Sequence, residues 1–408
     1  MKLFILFMIL LVNGIDTRRK KKMRDSGGSL ETNSYKNLDM RGRIRKSFFV
    51  AHALDNLDSN TICSPISALL PIGKLALGAV NNSLDEMLEA IGVISQKKIK
   101  SHFKHLIAEL RYLPGVKLDM ASRLYISTQA RLTSSFESDT KEIFSSSAER
   151  VDFESPVITA DKINGWVESQ TANMIHDMIS PEEIDPEMSL IMINAIYFNG
   201  KWETPFKKLE TATFHTPIDV RRVNMMSVNS HFNYTESAAL NAQILKLPYT
   251  GGQAALIIIL PKARNGLPLL LHQIKLAPEI LDSALNSMLV HTVQATIPKF
   301  RLESEMDLRK MYEKVGIRKI FNEYDSDLTG IVRDKIVTVS KAKQKAVIDV
   351  NERGTEAAAS SSTSMLQMSL TKTVKFKADH PFLFILLSNT QQLFAGTLVH
   401  PHTAAKRG

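Results

Sequence analysis

Residues 351–371, NERGTEAAASSSTSMLQMSLT, place Glu352, Gly354 and a run of small side chains ahead of a short apolar Met-Leu-Gln-Met sequence. The chemistry this invites is done to the chain rather than by it. A soluble stretch of that composition is easily cut by a protease, and the same small residues fit the crowded interior of a β-sheet. A Ser/Ala linker has a similar composition. Here, however, the segment lies between the apolar stretches 346–350 and 382–387, late in the chain, where little remains to be linked. The other chemistry-bearing residues are dispersed. There is no HExxH, no GxSxG and no paired Cys/His spacing, so neither an enzyme nor a metal site is expected. His102 and His105 lie in a basic segment that reads as a solvated helix face. The single Cys63 follows Thr61-Ile62 in an apolar run and reads as a buried, inert thiol. One cysteine forms no intrachain disulfide, so packing must hold the fold.

The elements that would position such a segment follow from periodicity. Phe49, Ala53 and Leu57 share a helical face, widened by Val50 and Leu54. Residues 62–77 contain Pro65 and Pro71, which favours a short buried strand leading into a packed helix. Ile163, Val167, Thr171 and Met174 recur at helical spacing before Pro181, with Ile163 and Trp166 as expected core residues. Strands are expected at 189–198, at 254–260 before Pro261, and at 289–297, 336–339, 346–350 and 382–387. Helices thus dominate early and strands late. With 408 residues, 44% of them hydrophobic, and no phosphate loop, repeat or long linker to force a division, the pattern is that of a mixed α+β protein.

The N-terminus carries its own signals. LFILFMILLV at 3–12 follows Lys2 and precedes Asn13-Gly14. That is a secretory signal peptide over 1–14, cleaved near Gly14-Ile15, because ten apolar residues are too few to span a bilayer. No later segment reaches spanning length, so a soluble, secreted, extracellular protein is expected. Residues 15–46 form a basic arm with two clusters, Arg18, Arg19, Lys20, Lys21, Lys22 and Arg24, then Arg41, Arg43, Arg45 and Lys46, within a net charge of +9. Clusters of this kind attract polyanions through counterion release, although a solvated arm or a dibasic processing site has the same composition. A secreted chain without a reading motif makes nucleic acid an unsuitable partner, and sulfated glycans or anionic membrane surfaces fit better. Asn81-Asn82-Ser83 and Asn233-Tyr234-Thr235 are N-glycosylation sequons.

Taken in order, Glu352, Arg353, Gly354, Thr355, Glu356, Ala357, Ala358, Ala359 and Ser360 resemble the hinge of the serpins, the serine protease inhibitor superfamily. Further matches, all in the family's order, are NAIYFNGKW at 194–202 with Pro205-Phe206, FKADHPF at 376–382, and FAG at 394–396. The resemblance spans about residues 45–401. It implies a serpin domain over 47–408, with three β-sheets, eight or nine helices and an exposed hinge and reactive-centre loop over 351–375. It also implies a monomer that acts as a suicide-substrate inhibitor. A protease acylates itself on the loop, the cleaved loop inserts as a new strand of the main sheet, and the deformed protease is trapped. Insertion favours small residues at alternate positions, because large or charged side chains clash and desolvate there. Thr355, Ala357, Ala359, Ser361 and Thr363 meet that demand, Glu356 would face solvent, and Gly354 lets the backbone turn into the sheet. The alternative the family allows is a non-inhibitory carrier or glycan-binding protein.

Counting along the family's loop from Gly354 places the reactive bond at Met368-Ser369, with Leu366 and Leu370 as competing anchors. A linear apolar side chain suits an elastase or chymotrypsin-like protease and offers no charge to a trypsin-like pocket. The resemblance also assigns Ser64, Pro65, Ser67 and Asn194 to the shutter beneath the opening sheet, Trp202 to the breach where the hinge enters, and Lys299 with Glu352 to a pair bridging hinge and sheet. Ordinary core and loop packing is the plainer reading of all of these. Gln344 stands where the family usually carries a shutter histidine, and glutamine cannot titrate. No cofactor is expected beyond heparin or another sulfated glycan acting as accelerator. Lys97, Lys98, Lys100, Lys104 and Arg111, with Lys117 nearby, fall in the region resembling the glycan-binding helix of heparin-dependent serpins.

Overall fold

Strand β1 (Thr61–Cys63) runs directly into helix α1 (Pro65–Leu75). Pro65 sits at the start of α1, where its missing N–H is no loss, and the Ser64 side chain caps the helix by accepting from the Ser67 amide at 3.2 Å. The computed structural model describes residues 49–50, 52–352, 373–388 and 391–404. Residues 49–50 and 52–54 are helical, with Phe49, Val50 and Ala53 buried. Beyond α1 come α2 (Asn81–Ile91), α3 (Gln96–Arg111), β2 (Val116–Ser127), α4 (Ser134–Phe144), β3 (Glu149–Val151) and α5 (Pro156–Gln170). The remainder is mostly strand: β4 (Leu190–Gly200), β5 (Lys208–His215), β6 (Val220–Ser237), β7 (Ala242–Pro248), β8 (Ala254–Pro261), β9 (Leu289–Pro298), β10 (Phe300–Asp307), β11 (Val339–Val350), β12 (Val374–Lys377), β13 (Phe382–Ser388) and β14 (Gln391–Leu398). Helices α6 (Leu267–Leu276) and α7 (Glu279–Asn286) precede β9, and α8 (Leu308–Lys314) follows β10.

Five strands form the main sheet in the order β10-β11-β4-β2-β3. The other nine form one hydrogen-bonded network that reads as two sheets joined by the 18-residue β6. One end of β6 pairs with β5 and β9, and beyond β9 lies β12; the other end pairs with β7, which leads through β8, β13 and β14 to β1. The architecture is therefore an α+β fold of three sheets, with eight α-helices having full bounds among the described residues.

The main sheet is covered on both faces, as the almost unbroken apolar run of β4 requires. Met192, Ile196 and Phe198 pack into the large core that includes α1, while Ile191, Ile193, Ala195 and Tyr197 face a second core with Ile163 and Val167 of α5. Strand β11 divides the same way, Ala342, Ala346 and Ile348 toward the first core and Val347 toward the second.

Three details depart from the sequence reading. Helix α5 ends at Gln170 rather than continuing through Met174, because Ala172 and Asn173 adopt positive φ and the Thr171 and Asn173 amides close the last turn on Val167 and Glu168 carbonyls. Trp166 is only half-buried: it packs against the second core, edge-on to Tyr125, and takes the Arg123 guanidinium over its ring at 4.1 Å. The strand expected at 336–339 begins only at Val339 and continues to Val350, with a register shift against β4 between Val339 and Lys341; Ile336 is 68% exposed and has no ladder partner.

Candidate functional site

The main sheet has its most consequential seam between β4 and β11, two parallel strands paired directly from Leu190/Val339 to Asn199/Asp349. Asn194 and Gln344 are partners across that seam. Both side chains point to the α1 face, where the start of α1 presents backbone groups to them. The Ser64 amide donates to Gln344 Oε1 at 3.0 Å, and Gln344 Nε2 donates to the Ser64 carbonyl at 3.1 Å. The Ser67 hydroxyl donates to Asn194 Oδ1, and Asn194 Nδ2 donates back to the Ser67 carbonyl. Ser64, Ser67, Asn194 and Gln344 are all buried. Each strand at the seam thus carries one amide side chain, and each amide is doubly satisfied by the same helix N-terminus.

At one end of the seam, Trp202 is buried and stacks on Tyr249, with centroids 4.3 Å apart and planes at 13°. Its Nε1 donates to the Asn351 carbonyl at 2.7 Å, just before the hinge. Gly200 allows that packing, since a Cβ there would lie 2.5 Å from the Tyr249 ring. Lys299 Nζ reaches Glu352 Oε2 at 2.8 Å, both side chains being partly exposed. The hinge residues Gly354, Thr355, Glu356, Ala357, Ala358 and Ala359, the residues Leu366, Met368, Ser369 and Leu370, and the basic arm from Arg18 to Lys46 lie outside the described residues, as does the signal segment.

The basic residues of α3 divide between exposed and ion-paired positions. Lys97, Lys98, Lys104 and Arg111 of α3 are exposed. Lys100, however, pairs with Asp139 at 2.6 Å and Lys104 with Glu142 at 2.5 Å, both acids on α4. Lys117, on β2, pairs with Asp119 at 3.4 Å. His105 is exposed and faces Glu109 at 3.1 Å, while His102 is half-buried, edge-on to Phe103. Asn81 is exposed at the start of α2 with its amide on Asp327, whereas Asn233 is half-buried inside β6 between Lys246 and Val290. Cys63 is fully buried, and burial pushes its thiol up. Among the described residues there is no metal-binding cluster and no helix long and apolar enough to cross a membrane.

Sequence reasoning missed three groups. Lys341, Lys343 and Lys345 occupy alternate positions of β11 and bind acids and carbonyls on the α5 face; a Lys-x-Lys-x-Lys pattern in a strand buried on both faces was the available signal. Tyr249 completes the Trp202 stack. Lys74 of α1 is buried, donates to the Ser122 carbonyl and lies over the Phe144 ring; burial, reinforced by Arg123, lowers it to about 7.

A five-stranded main sheet with a polar, helix-capped seam between β4 and β11, and with Asn351 and Glu352 following β11, is the arrangement of a serpin. The family model described as serpin (serine protease inhibitor) matches residues 46–401, and the chain belongs to that family, whose members are in general inhibitors rather than catalysts. It is 34% identical to Antichymotrypsin-2 of Bombyx mori over 352 residues, covering 85% of this chain and 93% of that protein. It is 33% identical to Antitrypsin of the same moth, covering 85% and 89%. Among solved structures, Serpin48 of the insect Tenebrio molitor superposes with a TM-score of 0.81 at 28% identity, covering 92% of this chain and all of that one.

Proposed function

We propose that this serpin is a secreted suicide-substrate inhibitor of an elastase or chymotrypsin-like serine protease, with Met368-Ser369 as its reactive bond. The observation that carries the reading is the direct β4/β11 ladder, which runs to Asn199/Asp349 with no strand between, and at whose end Asn351 and Glu352 lead in sequence into the expected hinge. The protease serine attacks the Met368 carbonyl, the Met368–Ser369 bond breaks, and Ser369 leaves as a new amino terminus while Met368 stays as an ester on the protease. Small residues at Thr355, Ala357, Ala359, Ser361 and Thr363 then enter between β4 and β11 without burying charge. Trapping requires that insertion outrun hydrolysis of the ester. The apolar Met368 supports a chymotrypsin-like or elastase target, as does likeness to a protein named an antichymotrypsin; likeness to one named an antitrypsin does not separate the two. The signal segment supports secretion, and exposed Asn81 is better placed than Asn233 to carry a glycan. Any heparin or sulfated-glycan site is better sought on the basic arm than on α3, whose Lys100 and Lys104 are compensated by α4.

The test is incubation with neutrophil elastase, chymotrypsin, cathepsin G, trypsin and thrombin. An SDS-resistant complex with one of the first three, releasing a peptide that starts at Ser369, is expected. Cleavage by all of them with no complex overturns inhibition and leaves the carrier reading.

A further inference from the structure

Residues 171–189, which join α5 to β4, cross the α5 face of the main sheet and are fastened on both sides of the β4/β11 seam. On the α5 side, Asn164 holds Ile179 through two hydrogen bonds, at 2.9 and 3.0 Å. On the other side, Arg301 of β10 donates to the Met174 carbonyl, Lys345 of β11 donates to the His176 carbonyl at 2.7 Å, and the Ser340 hydroxyl accepts from the Ser189 amide. The centre of the fastening is Glu183. Its carboxylate takes Lys341 at 2.9 Å, Lys343 at 2.9 Å and the Ser180 amide at 3.0 Å, the last through a capping box that fixes its rotamer. Lys343, nearly buried, is shared with Glu305 at 2.7 Å, and Lys345 is shared with Glu303 at 2.9 Å, both diagonal partners on β10. Glu182, beside it, is held by Ser180.

Resting on the insertion reading above, we propose that Glu183 is a positioning residue that restrains loop insertion, its ion pairs with Lys341 and Lys343 holding the β4/β11 seam shut until a cleaved loop opens it. A new strand moves β11 away from β4 by one strand spacing, about 4.8 Å. The segment is covalently part of β4 and bonded to α5, so it cannot follow β11 that far. The Glu183 pairs must therefore break or be remade during insertion. Because Lys343 keeps Glu305 and Lys341 is part-exposed, losing the Glu183 charge leaves no buried unpaired cation, and the fold should survive.

The experiment uses a synthetic peptide of residues 354–367, added to the intact protein, with uptake followed by native gel and by the heat-stable fraction. Glu183→Gln should take up the peptide about five-fold faster than wild type, the effect of losing roughly one part-exposed ion-pair interaction. Lys341→Met should accelerate uptake in the same direction. Added salt should accelerate wild type more than Glu183→Gln, since screening weakens the pairs that the variant lacks. If wild type and Glu183→Gln take up the peptide at the same rate and with the same salt dependence, the role of Glu183 is overturned even if the variant melts lower, and insertion stands. If neither protein takes up the peptide, insertion itself is overturned and the role of Glu183 with it.

Discussion

Gln344 and Ser64, 280 residues apart in sequence, are joined like two peptide groups, with the Ser64 amide and carbonyl each bonded to one end of the Gln344 side chain. The relationship ties β11 of the main sheet to the N-terminus of the helix beneath it without any titratable group. Because Asn194 of β4 is bonded to Ser67 of the same helix, parting β4 from β11 requires either the Gln344–Ser64 bonds or the Asn194–Ser67 bonds to be exchanged.

Gln344→Ala leaves the buried Ser64 amide and carbonyl without their side-chain partner, and the native state should lose about 2–3 kcal/mol, read from the shift of the urea midpoint. Gln344→His should retain part of that stability at pH 8 and make peptide uptake pH-dependent between about 6 and 8, whereas wild-type uptake should show no shutter titration in that range. A step in the wild-type profile that persists in Gln344→Ala would locate the titrating group elsewhere.

Lys74 should respond oppositely. Its folded-state value of about 7 lies below the ordinary lysine value near 10.4, so between those limits the unfolded chain binds more protons and stability rises with pH. Lys74→Met should stabilise the protein by about 1–3 kcal/mol at pH 7, with the gain shrinking toward pH 10. Thermal melts of both proteins at pH 6, 7, 8.5 and 10 measure it; destabilisation by the variant at every pH would show that the bond to the Ser122 carbonyl outweighs desolvation.

Two carboxyls set an acid limit. Burial alone would raise Glu183, but Lys341, the Ser180 amide and Lys343 outweigh it and hold it at about 2. Asp379 is likewise raised by burial and lowered further by His380 and Lys377, again to about 2. Both lie below their unfolded values near 4, so their stabilisation is complete above about pH 5 and is lost as pH falls toward 2. Melting temperature should be flat with respect to these groups from pH 5 to 7 and drop below. Asp379→Asn should melt lower at pH 6 and flatten the acid limb, and an unchanged limb would exclude the pair.

Thr355→Arg should leave protease recognition intact and prevent rapid insertion, since a guanidinium would have to enter the sheet. The variant should become a substrate, and its cleaved form should lack the large gain in melting temperature expected for wild type. Equal stabilisation of the two cleaved proteins would contradict the insertion mechanism.

What the sequence determined by itself was local or carried by a contiguous motif. The apolar run at 189–198 read as a strand, Pro65 and Pro71 favoured a short strand leading into a helix, and Pro261 closed β8. Gln344 could be singled out as an untitratable member of a polar group, because residue type alone fixes that property. The tertiary structure decided what depended on distant partners. Tyr249 lies beneath Trp202, Glu183 beside Lys341 and Lys343, and α4 acids beside Lys100 and Lys104, each brought together by topology rather than spacing. It also decided where β11 begins, since Ile336 has strand propensity but no neighbour to pair with. Lys74 shows the physical reason most sharply: nothing in the composition of a short helix tells a lysine whether its ammonium will reach water, and only the packing of β2 and α4 around α1 removes that choice.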